Sequence, residues 1–198
     1  MATAAKKSAR TRRLTLSTIA ILLTLVFLLQ TPFAAQNATL SNIIVTNTST
    51  DLMVYMNVDG AFREQTVTAI MNGVPTSFSF FIKLFQKRSM WFDKVIADIE
   101  ITNSIKFNNL KKEFVVERSW ENNIPRTVQS LKEAEKLMSD VDGLKLVPLS
   151  ELKKGNQYQL RAKAQLSKII LPFYLHYVLF FVSLWDFETD WYSIDFIY

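Results

Sequence analysis

The stretch "VIADIEITNSIKFNNLKKEFVVERS", Val95 to Ser119, alternates apolar and polar side chains along most of its length. Ala97, Ile99, Ile101, Ile105 and Phe107 fall on one face; Asp98, Glu100, Thr102, Ser104 and Lys106 fall on the other. Successive side chains of a strand point to opposite faces, so this pattern describes a strand with one dry and one wet face. "NNLKK" then offers a turn into "EFVVERS", which predicts a hairpin.

The same period recurs on either side. Leu52, Val54, Met56 and Val58 share a face in "DLMVYMNV". Phe78, Phe80, Ile82 and Leu84 do so in "TSFSFFIKLFQK", with Ser79, Lys83 and Lys87 opposite. Tyr158, Leu160, Ala162, Ala164 and Leu166 do so in "QYQLRAKAQLS". "SNIIVTN" and "WYSIDFIY" add an opening and a closing strand. Such sheets must bury their dry faces on each other or on helices. The expected fold is mainly β: a two-layer antiparallel β-sandwich, with an immunoglobulin-like arrangement as one form of it.

Two short helices interrupt the strands. In "SLKEAEKLMSDVDG", Ser130 and Glu133 have capping-box spacing. Leu131, Ala134, Leu137, Met138 and Val141 form a stripe, and Gly143 is the expected stop. "FREQTVTAIMNG" sets Val67, Ile70 and Met71 on one side and ends at Gly73. All four glycines are assigned to element ends, which leaves none for a phosphate-cradling loop.

The net charge of +5 is local. Lys6, Lys7, Arg10, Arg12 and Arg13 precede any acidic residue, and the other basic residues equal the 18 acidic ones in number. A neutral body lacks the phosphate attraction that sustains nucleic-acid affinity, so no nucleic-acid partner is expected. A basic segment before the apolar run Leu14 to Leu29 reads as an export signal, retained as an anchoring N-terminal helix or cleaved. Residues 1–36 are the signal or anchor, and 37–198 are expected to form one extracytoplasmic domain. The basic side stays in the cytoplasm, which puts the domain on the periplasmic side of the inner membrane.

The residue inventory excludes much chemistry. With no cysteine there is no disulfide, thiolate nucleophile or cysteine-held metal. His176 is the only histidine and lies in an apolar run, which suits a packed side chain better than a base. No second histidine can complete a two-histidine metal site, and no G-x-S-x-G elbow occurs. Asp186, Glu188 and Asp190 alternate, with spacing open to calcium but no glycine to bend a loop round the ion. The plainer reading is a solvated acidic edge. No catalytic, cofactor-binding or metal-ligating residue is assigned, and the chain is not expected to be an enzyme.

What remains is interaction surface. Trp91 and Phe92 in "SMWFDK" read as sandwich-edge packing or as a recognition patch beside Lys87 and Arg88. The run Leu171 to Trp185 is too short for a span and would be apolar all round as a helix. It is either buried against the sheets or turned to a bilayer or another protein. Phe173, Tyr174, Val178, Phe181, Leu184 and Trp185 are its candidate contacts.

At this point the chain resembles a known family. The order "VTNTSTDLMVYMNVDGAF", "IMNGVPTSFSFFIKLFQKR", "WFDKVIA", "KFNNLKKEFVVER", "SLKEAEKLM", "LKKGNQYQLRAKAQL" and "LPFYLHYVLFFVSLWDFETDWY" carries the resemblance. It is similar to an uncharacterised proteobacterial envelope family, domain-of-unknown-function family four-three-nine-zero. The "NGVP" turn, the "WFDK" step and the "WDFETDWY" end are its more specific features. The resemblance implies a small extracytoplasmic β-rich domain and no assigned activity. The expected function is a non-enzymatic, membrane-associated envelope domain that binds or scaffolds another envelope protein. The alternative is binding of an apolar ligand such as a lipid at 171–185.

Overall fold

The computed structural model describes residues 38–167 and 188–198. The leader, with its expected helix, and the run 171–185, with His176, lie outside the described residues. So do Phe173, Tyr174, Val178, Phe181, Leu184, Trp185 and Asp186.

The described chain is mainly β, with two helices and two antiparallel sheets. In order, the elements are β1 (Thr39–Asn47), β2 (Asp51–Asp59), α1 (Glu64–Met71), β3 (Thr76–Gln86), β4 (Lys94–Asn108), β5 (Glu113–Arg118) and β6 (Arg126–Val128). Then follow α2 (Leu131–Ser139), β7 (Asp140–Pro148), β8 (Gln157–Ser167) and β9 (Tyr192–Ile197). One sheet has the order β1-β2-β7 and the other β6-β5-β4-β3-β8-β9. An immunoglobulin-like arrangement splits consecutive strands between its sheets by Greek-key connections. Here β3 to β6 run as a meander within one sheet, so that order is not the one found.

The period-2 patterns are realised residue by residue. Phe78, Phe80, Ile82 and Leu84 on β3 are fully buried, as are Tyr158, Ala162 and Ala164 on β8. Leu52, Val54, Met56 and Val58 of the smaller sheet join the same hydrophobic cluster. Burying one such Phe, Leu or Ile side chain contributes about 1.5–3 kcal/mol. The β4–β5 hairpin turns where expected. The Asn108 side-chain oxygen accepts the amides of Leu110 at 3.1 Å and Lys111 at 3.2 Å. That side chain replaces the backbone partner that the tight turn removes.

The helices correct three expectations. Helix α1 ends at a Schellman motif: Gly73 N–H donates to Ile70 O at 2.8 Å and Val74 N–H to Ala69 O at 3.0 Å. Its buried residues are Thr66, Ala69 and Ile70, and Met71 is largely exposed, so the expected stripe is rotated. Helix α2 begins at Ser130, but no side-chain cap bond forms there. It stops at Ser139, and the chain enters β7 at once, so Gly143 is not its stop. Gly143 is the extra residue of a β7 bulge opposite Val54 and Tyr55, at φ 78°. A left-handed φ there suits glycine and no bulkier residue.

Candidate functional site

The long β3–β4 hairpin carries exposed apolar side chains at its tip. β3 and β4 pair from Thr76↔Ile105 out to Gln86↔Lys94, and residues 87–93 connect them. Lys87 continues the sheet by donating its backbone N–H to Gln157 O at 2.9 Å. Its ammonium meets Asp93 Oδ2 at 2.7 Å, closing the base of the loop. The Arg88 amide reaches the other Asp93 oxygen at 3.4 Å. The Lys87 hydrogen bond holds the Asp93 carboxyl below its ordinary value against a smaller opposing effect of burial. The clip leaves Met90, Trp91 and Phe92 projecting, 90%, 79% and 95% exposed. Trp91 and Phe92 are therefore not edge packing.

The tip has neighbours of the same kind. Val95, at the start of β4, is 51% exposed. Arg161 stacks 4.9 Å from the Phe85 ring centroid, beneath the loop. Contiguous exposed apolar side chains rimmed by charge mark a binding surface more often than single exposed ones do.

The opposite end of the larger sheet holds the points where the remaining chain joins. Ala38 and Glu188 line one small cavity of about 220 Å³. Glu188 bridges to Gln165, two residues before the end of β8. Thr189 is buried there: its N–H donates to Ala164 O, and its hydroxyl accepts the Ala164 N–H, both at 2.9 Å. Ser167, the last residue of β8, pairs with Ser77 at this same end. From Ser77 to Gln86 along β3 it is about 30 Å to the tip.

Of the three alternating carboxylates, Glu188 and Asp190 lie among the described residues. Glu188 pairs with Lys163, whose ammonium also lies 5.4 Å from the Phe81 ring and 5.2 Å from that of Trp191. Among the described residues no group of three or more His, Cys, Asp or Glu side chains stands close enough to hold a metal ion. None of their helices is long and apolar enough to cross a membrane.

One polar cluster escaped the sequence reading. Asn103 and Arg118 occupy dry-face positions of β4 and β5 and are 0% and 5% exposed. Asn103 Nδ2 donates to Met138 O at 2.9 Å and its Oδ1 accepts from Trp120 Nε1 at 3.3 Å. Arg118 forms a fork with Glu121, at 3.0 and 2.6 Å, and Arg126 joins the same carboxylate at 2.8 Å. A groove of about 590 Å³ opens beside Arg118, lined also by Arg126, Lys136, Asp140 and Asp142. Burial pushes the Asp140 carboxyl above its ordinary value, with Lys136 opposing. Charges of both signs balance along this groove, and the Arg118 fork is already occupied. The arrangement ties α2 to the larger sheet. Its signal in the sequence was Asn103 itself, a polar residue inside an otherwise apolar alternation.

No curated protein and no solved structure matches the chain. A family model described as "Domain of unknown function (DUF4390)" matches residues 35–195, and with most of its length covered the chain belongs to that family.

Proposed function

We propose that this chain is a membrane-tethered envelope domain that binds another envelope protein through the tip of the β3–β4 hairpin. The observation that carries this reading is the run Met90, Trp91 and Phe92, held almost wholly in water by the Lys87–Asp93 clip. Burying those side chains in a partner recovers apolar contact that the domain itself does not use. The basic leader and its apolar run support a domain on the periplasmic side, and the shared core of the two sheets supports a two-layer sandwich. In this reading the chain scaffolds a partner and performs no catalysis.

The double variant Trp91→Ala/Phe92→Ala tests it in the full-length chain solubilised from membranes. Truncating two exposed side chains should move the melting midpoint by no more than about 2 °C. Loss of two aromatic anchors should lower the yield of co-purified membrane protein by roughly tenfold or more. Unchanged co-purification with an intact fold would remove the tip from the binding surface.

A further inference from the structure

We propose that the free edge of β4, residues 97–101, takes up an extended strand of a partner protein whose side chains alternate apolar and basic. The inference rests on the binding-module reading above and names the partner's chemistry.

β4 is 15 residues long, but β5 pairs only with Asn103–Asn108. β3 runs along the other side of β4 as far as Lys94. Among the described residues no strand pairs with 94–101 on the β5 side. The direction of the backbone groups follows from parity. The Thr102 N–H points to that side, where it donates to Ser119 Oγ at 2.8 Å. In a strand the N–H and C=O of one residue point the same way, and the direction alternates along the chain. Asp98 and Glu100 share the parity of Thr102, so their backbone donors and acceptors face the open edge.

Folded proteins blunt such edges with bulges, prolines or very short strands. β1 carries a bulge between Ser41 and Ile44, with Asn42 at φ 50°. β6 has three residues and follows Pro125. The stretch from Ala97 to Ile101 has none of these and keeps an unbroken register with β3.

The side chains specify what fits. On the dry face Ala97 and Ile99 are only half-buried, whereas Ile101, beside the β5 end, is buried. A strand added there covers the first two with apolar side chains. On the wet face Asp98 pairs with Lys83 at 3.0 Å, while Glu100 has no ion pair among the described residues. A lysine or arginine opposite Glu100 completes a cross-strand charge pair. A second copy of this chain fits poorly. Antiparallel self-pairing centred on Ile99 sets Asp98 against Glu100 twice, and like charges directly opposite repel. The edge begins at Ala97, one bulge beyond the Trp91–Phe92 loop. Main-chain pairing along β4 and an apolar contact at the tip form one continuous surface, the usual division of labour in strand addition.

The test uses the full-length protein in detergent micelles and a synthetic nine-residue peptide alternating lysine and valine. Hydrogen exchange of the Asp98 and Glu100 amides, the two that face the open edge, should slow by roughly tenfold or more on adding the peptide. A peptide alternating glutamate and valine should give no slowing. Glu100→Pro removes an outward N–H without touching the pairing to β3 and should abolish the protection. Glu100→Lys, which keeps the backbone intact, should weaken peptide binding by roughly tenfold. The Trp91→Ala/Phe92→Ala variant should retain the protection, so the edge and the tip fail or succeed separately. No slowing with the lysine peptide, or equal slowing with both peptides, overturns the proposal. Protection of the Asp98 and Glu100 amides already present without peptide overturns it too: loss on dilution assigns the edge to a second copy, and persistence assigns it to this chain's own residues.

Discussion

Phe80→Ala should unfold a large part of this protein's stability margin, by about 3–5 kcal/mol. Phe80 is fully buried at the centre of β3, opposite Ile101 on β4 and Ala164 on β8. The small residue at Ala164 leaves the ring to fill the space, and neither β4 nor β8 can collapse inward without breaking its register. A domain of this size has only about 5–15 kcal/mol in total. The melting midpoint should fall by roughly 10 °C. Phe81→Ala is the internal control. Phe81 points to the other face, is half-buried, and packs under the Lys163 ammonium. Its loss should cost on the order of 1 kcal/mol. A one-residue slip of β3 would exchange these two values. Thermal melts of the full-length variants in detergent decide it, and equal losses would contradict the register.

Asn103→Ala should cost roughly 2–4 kcal/mol. Met138 O is one of the last carbonyls of α2, which has no intrahelical partner. Asn103 Nδ2 satisfies it, and Asn103 Oδ1 satisfies the Trp120 indole. Alanine removes both partners and leaves the Met138 carbonyl buried and unpaired. Asn103→Asp should be worse at neutral pH, because a buried carboxylate would face that carbonyl oxygen. Urea titrations should show a lower midpoint at unchanged slope for the alanine variant. A midpoint within error of the parent would mean that water or a neighbour replaces the amide.

The strands were legible where alternation runs unbroken. On β2, β3 and β8 every apolar position assigned to the dry face is buried. The period is short, and water on one face filters the residue types at each position. β7 was not legible, and the reason is its bulges. Val141, Leu144, Leu146 and Val147 are all buried, a spacing that no regular strand gives. The bulge at Gly143 and the register shift opposite Leu52 and Met53 reset the parity. Val141 then fits a helical stripe as well as a strand, so the helix was read too long. The hairpin tip posed a different problem. Whether Trp91 and Phe92 sit in the core depends on how far the β3–β4 pairing extends, and that is set by the Lys87–Asp93 clip and the Gln157 contact. The bond from Asn103 to Met138 joins residues 35 apart in sequence, which no local pattern records.

The central claim is that the β3–β4 tip is the partner-binding end. A photo-crosslinking amino acid placed at Phe92, in the full-length chain in its own cells, tests it directly. Leu110 is the control: it is 96% exposed at the opposite end of β4, on the turn to β5. The account predicts a discrete adduct with one envelope protein from position 92, lost when Trp91 is also replaced by alanine, and none of that mass from position 110. No discrete adduct at 92, or the same adduct from both positions, would contradict it.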